Sequence, residues 1–149
     1  MVVATDRPLP ERVNRSRWPA HVTIAGNFYV DADAAPMIPS ALASTAREFP
    51  AFEFPLGPEA LFGRSENIPV LLAEHPAFRA LHATLATELS ALSGFGPVDP
   101  EYWGEGYQPH VTLGAEVHHR AGDSWAIRVL TLLALDGSSA QRLSTVELS

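Results

Sequence analysis

Apolar and β-branched residues alternate in short runs along most of the chain, and helical spacing is sustained clearly in one stretch. Val2-Val3-Ala4-Thr5 reads as an opening strand. Residues 6–20, broken by Pro8, Pro10 and Pro19, read as a loop. From His21 to Val30 the chain is rich in β-branched and aromatic residues and predicts a strand. Asp31 and Asp33 precede Ala34-Ala35-Pro36, which predicts a helix ending near Phe49, with Pro39 in its first turn. Phe52, Phe54 and Leu56 alternate as in a half-buried strand, and residues 68–73 suggest another. The clearest helix is 76–93. Pro76 suits its first position, Gly94 its C′ position, and Phe78, Leu81, Leu85, Leu89 and Leu92 form the apolar stripe. A loop rich in Gly and Pro covers 94–109, and His110 to Val117 reads as a strand. Residues 125–135 fit either period, but Val129, Thr131 and the turn at Asp136-Gly137 favour a strand, with 143–148 as its hairpin partner. The sum is an α+β chain with mixed or antiparallel sheets and two principal helices. At 149 residues, one domain spanning 1–149 is expected.

Composition narrows the class. Hydrophobic residues make up 46% and charged residues 18%, which supports a packed core and argues against disorder. The absence of cysteine excludes disulfides, thiolate metal ligands and a cysteine nucleophile. No apolar run approaches the roughly 18 residues of a membrane span. Met1 to Arg7 carries an acid and leads into no apolar stretch, unlike a signal peptide, so a soluble cytoplasmic protein is the expectation. The net charge is -7, and all ten basic residues are Arg. Such a balance does not suit an extended nucleic-acid surface, which depends on releasing counterions from many phosphates. A phosphate-bearing ligand is then expected to be small or held locally. Arg7, Arg12, Arg15 and Arg17 crowd the first 17 residues. They read either as a solvated loop or, for Arg15 and Arg17, as a cationic clamp on a phosphate.

One short string occurs twice. His21-Val22-Thr23-Ile24 and His110-Val111-Thr112-Leu113 share the order His, Val, Thr, aliphatic, with Pro19 and Pro109 just upstream. On a strand, side chains at i and i+2 project to one face, so each copy presents an imidazole beside a hydroxyl while its aliphatic residues face the core. Two such strands side by side would bring two imidazoles and two hydroxyls into one small volume. Phosphodiester cleavage needs that set: one neutral His to take a proton, one protonated His to give one, and hydroxyls to bind the non-bridging oxygens. With an ordinary pKa near 6.5, histidine serves both roles near neutrality. This scheme requires no metal and no other cofactor.

The two His-x-Thr-aliphatic motifs resemble those of the 2H phosphoesterase superfamily, which includes the 2′-5′ RNA ligase-like proteins and cyclic phosphodiesterases. Leu61-Phe62-Gly63, the strand at 68–73, the helix carrying Leu81-His82, and Tyr107-Gln108-Pro109-His110-Val111-Thr112-Leu113-Gly114 resemble family segments in order. The resemblance implies a bilobal fold: two pseudo-symmetric β-sheet lobes with helices packed outside and a central cleft. It also implies that His21 and His110 are the acid/base pair and that Thr23 and Thr112 bind the phosphate. The activity it implies is cleavage of a small nucleotide or RNA-end phosphodiester, either a 2′,3′-cyclic phosphate or a 2′-5′ linkage. The reverse reaction would be 2′-5′ RNA ligation. The alternative is a non-catalytic module that binds a nucleotide or RNA end, and a weaker one is a structural domain with a relic repeat. A monomer without membrane partners is expected.

Other residues are more ambiguous. Tyr102, Trp103 and Tyr107 on the glycine-rich loop, like Trp18 ahead of the first motif, could stack a nucleobase or pack their own lobe. Tyr107 and Arg17 are carried as candidate substrate contacts. His118-His119 would point to opposite faces of a strand and read as a solvated turn rather than a metal site. His82, between Phe78 and Leu85, reads as a partly buried structural residue, and His75 as part of the helix start.

Overall fold

The computed structural model describes residues 1–149. In chain order the elements are β1 (Val2–Thr5), β2 (Arg12–Asn14), β3 (Val22–Ala25), β4 (Phe28–Tyr29), α1 (Ile38–Arg47), β5 (Phe52–Pro55), β6 (Glu59–Phe62) and β7 (Ile68–Leu72). They continue with α2 (Pro76–Ser90), β8 (Gly96–Pro97), β9 (His110–Thr112), β10 (Ser124–Ile127), β11 (Val129–Asp136) and β12 (Ser139–Glu147). One sheet has five strands in the order β2-β12-β11-β1-β3, and a second has three in the order β6-β7-β9. Short pairs β10-β5 and β4-β8 complete the α+β architecture, and every named strand pairing is antiparallel.

Both helices pack together and against the five-stranded sheet, α2 on β3 and α1 on β11 and β12. The stripe of α2 makes this possible: Phe78, Leu81, Leu85 and Leu89 are fully buried, each contributing roughly 1.5–3 kcal/mol. Val2 and Ala4 of β1 face that core, while Val3 joins Leu9, Val13, Leu133 and Ala140 in a smaller cluster. β1 is therefore covered on both faces, which accounts for its continuous apolar run.

The departures from the sequence reading have local causes. The 6–20 loop contains β2, because Val13 is buried in the smaller cluster and residues 12–14 pair with 139–141 of β12. The strand expected over 21–30 breaks at Gly26-Asn27, where the chain leaves β3 and residues 28–29 pair with 96–97. α2 stops at Ser90, short of Gly94. Gly94 has φ +70°, and a Cβ there would collide with the Asp31 carboxylate, so close approach explains this glycine and helix capping does not. β9 ends at Thr112 rather than Val117, since a turn from Gly114 to Val117 takes over. The strand over 125–135 is two strands parted at Arg128, and the hairpin partner starts at Ser139 rather than Leu143. β6, absent from the sequence reading, pairs with β7. No helix is long and apolar enough to cross a membrane.

Candidate active site

His21 stands one residue ahead of β3, and His110 opens β9. β3 is the last strand of the five-stranded sheet and β9 the last of the three-stranded one, and the two edges lie beside each other. Strand alternation does the rest. Val22, Ile24 and Val111 are fully buried, while His21, Thr23 and His110 are half-buried and Thr112 is exposed.

Both imidazoles are held in the same way. His21 Nδ1–H donates to the Pro19 carbonyl at 2.8 Å, and His110 Nδ1–H donates to the Gln108 carbonyl at 2.7 Å. A carbonyl oxygen only accepts, so each neutral ring carries its proton on Nδ1 and its free lone pair on Nε2. Burial lowers the pKa of His21, the Pro19 carbonyl partly opposes this, and the charge of His110 lowers it further. His110 is also lowered by burial, against the Gln108 carbonyl.

A cavity of about 490 Å³ is lined by Arg15, Trp18, His21, Thr23, Asn27, Asp99 and Thr112, among others. A second, of about 290 Å³, is lined by Thr23, Phe62, Ile68, Tyr102, Tyr107, His110 and Thr112, among others. Thr23, Gly26 and Thr112 border both, so the two spaces meet at the paired hydroxyls, one imidazole on each side. His21 and His110 thus line adjoining spaces that share Thr23 and Thr112.

The other candidates are placed differently. Arg17 is absent from both cavity linings; its guanidinium is engaged by the Glu116 carboxylate, linking the segment before β3 to that after β9. Arg15 does line the first cavity, with Nη1 donating to the Gly137 carbonyl at 2.6 Å. Tyr107 reaches the second cavity, but it is only 5% exposed and its ring stacks on His82, centroids 4.1 Å apart. Its hydroxyl donates to the Thr23 carbonyl at 2.8 Å, riveting one edge strand to the other motif. Trp103 packs against Phe28, Phe95 and His82. Tyr102 is 62% exposed at the cavity rim, and Trp18 tilts over His21 at 5.0 Å.

α2 supports this arrangement from behind. His82 Nδ1–H donates to the Ile24 carbonyl at 2.7 Å, and its Nε2 accepts from the Gly104 N–H at 2.9 Å. Arg79 Nη1 donates to the Tyr107 carbonyl at 2.7 Å. One helix therefore holds β3 and the loop leading into β9. His75 caps that helix, Nδ1 accepting from the Ala77 N–H at 3.2 Å, and stacks on Phe52. His118 and His119 line a separate cavity with Asp6 and Trp125, and no group of three or more His, Asp or Glu is placed to hold a metal ion.

Several lining residues escaped the sequence reading as site residues. Phe62 sets its ring edge-on to His110 at 4.7 Å, and the alternating positions 60 and 62 of β6 were the signal for it. Gln108 acts through its backbone carbonyl, which no residue type announces. Asn27 borders the first cavity with a buried, unpartnered Oδ1, and Asp99 reaches the same space from a distant loop.

Two His-x-Thr motifs, one entering and one opening an edge strand, set at adjoining cavities within this α+β fold define the class of the two-histidine phosphoesterases. The chain belongs to the 2′-5′ RNA ligase superfamily, whose family model matches residues 6–142. Among solved structures it is similar to E. coli LigT complexed with 3′-AMP, at 21% identity and a TM-score of 0.64, covering 99% of this chain and 97% of that one. It is also similar to a phosphoesterase, at 20% identity and a TM-score of 0.62, covering 99% and 98%. A third is TT0787 of Thermus thermophilus, at 17% identity and a TM-score of 0.62, covering 96% and 85%. No curated protein matches the chain.

Proposed function

We propose that the protein is a phosphodiesterase that cleaves a small nucleotide or RNA-end phosphodiester, with a nucleoside 2′,3′-cyclic phosphate as the first substrate to consider. The observation that carries this reading is the matched pair of imidazoles, each with Nδ1–H fixed on the carbonyl two residues back and each lining a cavity that Thr23 and Thr112 also line. E. coli LigT, to which the chain is similar, is complexed with 3′-AMP in one structure and with ATP in another, which fits a cleft for nucleotides.

In the proposed hydrolysis His21 Nε2 takes a proton from water as the water oxygen attacks phosphorus. The bond from phosphorus to one ribose oxygen breaks, and His110 delivers a proton to that oxygen through Nε2, leaving a phosphomonoester. Thr23 and Thr112 donate hydrogen bonds to the non-bridging oxygens, where negative charge builds. Burial lowers the pKa of both rings, so the scheme holds equally with the roles of His21 and His110 exchanged. The same pair run backwards would join ends, so a 2′-5′ ligase activity shares this chemistry. The scheme calls for no metal.

The test is hydrolysis of nucleoside 2′,3′-cyclic phosphates in chelator by the wild type, His21→Ala and His110→Ala. Each variant is expected to lose about 10²–10⁴ in kcat/KM, the usual worth of a positioned acid or base. Undiminished turnover in either variant overturns the mechanism. Nucleotide binding without turnover of cyclic phosphates or 2′-5′ linkages would instead make the chain a binding module.

A further inference from the structure

A third space adjoins the two that meet at the hydroxyls. It has a volume of about 470 Å³ and is lined by Ala60, Glu74, Pro76, Arg79 and Pro109, among others. Phe62 and Gln108 border both this space and the cavity of His110. The three spaces therefore follow one another along the surface, from Arg15 and Trp18, past the two imidazoles, to Glu74 and Arg79.

The chemistry of the last segment differs from that of the centre. Ala60 and Phe62 are two residues apart on β6 and half-buried, while the alternating Glu59 and Leu61 are exposed, so strand pleating sets Ala60 and Phe62 as an apolar wall of the groove. The prolines extend that wall. Glu74 and Arg79 are both exposed and form no ion pair with each other, so with the His75 imidazole the groove offers one carboxylate, one guanidinium and one neutral ring, a formal sum of zero. Arg79 spends only Nη1 on the Tyr107 carbonyl. A lone phosphate placed here would meet the Glu74 carboxylate. A neutral nucleoside would find apolar surface for its base and hydrogen-bonding groups of both kinds for its edges. On the proposed function, the adjoining 290 Å³ cavity, lined by Phe62, Ile68 and Tyr102 beside His110, would take the nucleoside that carries the reacting phosphate.

We infer that the groove of Ala60, Glu74, Arg79 and Gln108 is a second nucleoside subsite, which receives the residue preceding the reacting one and makes an oligonucleotide end a better substrate than a mononucleotide. This rests on the phosphodiesterase reading for turnover, although the subsite itself is a statement about binding.

The experiment compares a nucleoside 2′,3′-cyclic phosphate with a dinucleotide ending in the same group, using the wild type, Ala60→Trp and Glu74→Ala. Ala60→Trp fills the groove from the β6 wall, and Glu74→Ala removes an exposed carboxylate without adding bulk. The wild type is expected to prefer the dinucleotide by about tenfold in kcat/KM, within the worth of one packed base. Ala60→Trp should erase that preference while leaving mononucleotide turnover unchanged, and Glu74→Ala should reduce it. Equal kcat/KM for the two substrates in the wild type, or a preference intact in both variants, overturns the subsite. Calorimetric binding of the dinucleotide 3′-phosphate separates the two claims. Tighter binding than the mononucleotide 3′-phosphate, lost in Ala60→Trp, supports the subsite even if no substrate turns over; binding insensitive to both variants overturns it.

Discussion

Tyr107→Phe distinguishes two roles for the aromatic residue nearest the second motif. The hydroxyl donates at 2.8 Å to the Thr23 carbonyl, across the boundary between the two edge strands, while the ring lies parallel to His82 within 6°. Phenylalanine keeps the ring, its stack and its volume, so no cavity opens and the change isolates one hydrogen bond. The carbonyl left behind belongs to a half-buried residue. The cost therefore falls in the lower part of the range for an orphaned acceptor, about 1–1.5 kcal/mol. For a chain of this size that is a drop in Tm of about 2–6 °C. Because the same carbonyl fixes the strand position of the Thr23 hydroxyl, kcat/KM for a cyclic phosphate should also fall, by roughly tenfold. Thermal denaturation followed by circular dichroism, together with steady-state hydrolysis, reads both quantities. If Tyr107 instead served as a platform for a nucleobase, phenylalanine would replace it without penalty. Wild-type Tm and wild-type turnover in Tyr107→Phe would therefore refute the rivet.

Two further expectations concern pH. The base must be neutral and the acid protonated, and burial lowers the pKa of both His21 and His110. Both limbs of the kcat/KM profile should thus lie to the acid side of the ordinary histidine value of 6.5, and a maximum above pH 7 would count against these two histidines as the acid/base pair. Stability should follow His82, whose pKa burial lowers from 6.5, with the Ile24 carbonyl opposing and the Arg79 charge reinforcing. A lowered folded pKa means that the unfolded chain takes up its proton first as pH falls, so the contribution is complete above about 6.5 and is lost below it. Protonated Nε2 could no longer accept from the Gly104 N–H. Tm should therefore decline from pH 7 toward pH 5, and a flat Tm over that range would count against the neutral His82 clamp.

Much of the reacting group set is written locally. The alternation in His21-Val22-Thr23 and His110-Val111-Thr112 fixes imidazole and hydroxyl on one face and valine in the core wherever those strands go, because pleating is a property of the extended backbone itself. The stripe of Phe78, Leu81, Leu85 and Leu89 likewise determines α2 and the face it buries. What those strings do not contain is adjacency. β3 and β9 belong to different sheets, and they meet only because each ends as an edge. The carbonyls that set the imidazole tautomers come from Pro19 and Gln108 through the backbone, where side-chain identity carries no signal. Tyr107 and Arg17 show the same limit in reverse. Their types suit a base and a phosphate, yet Tyr107 is stacked on His82 and Arg17 is joined to Glu116, partners that lie on other segments of the chain. Local pattern determines which groups a strand or helix presents, whereas the partner each group finds is decided by the packing of segments far apart in sequence.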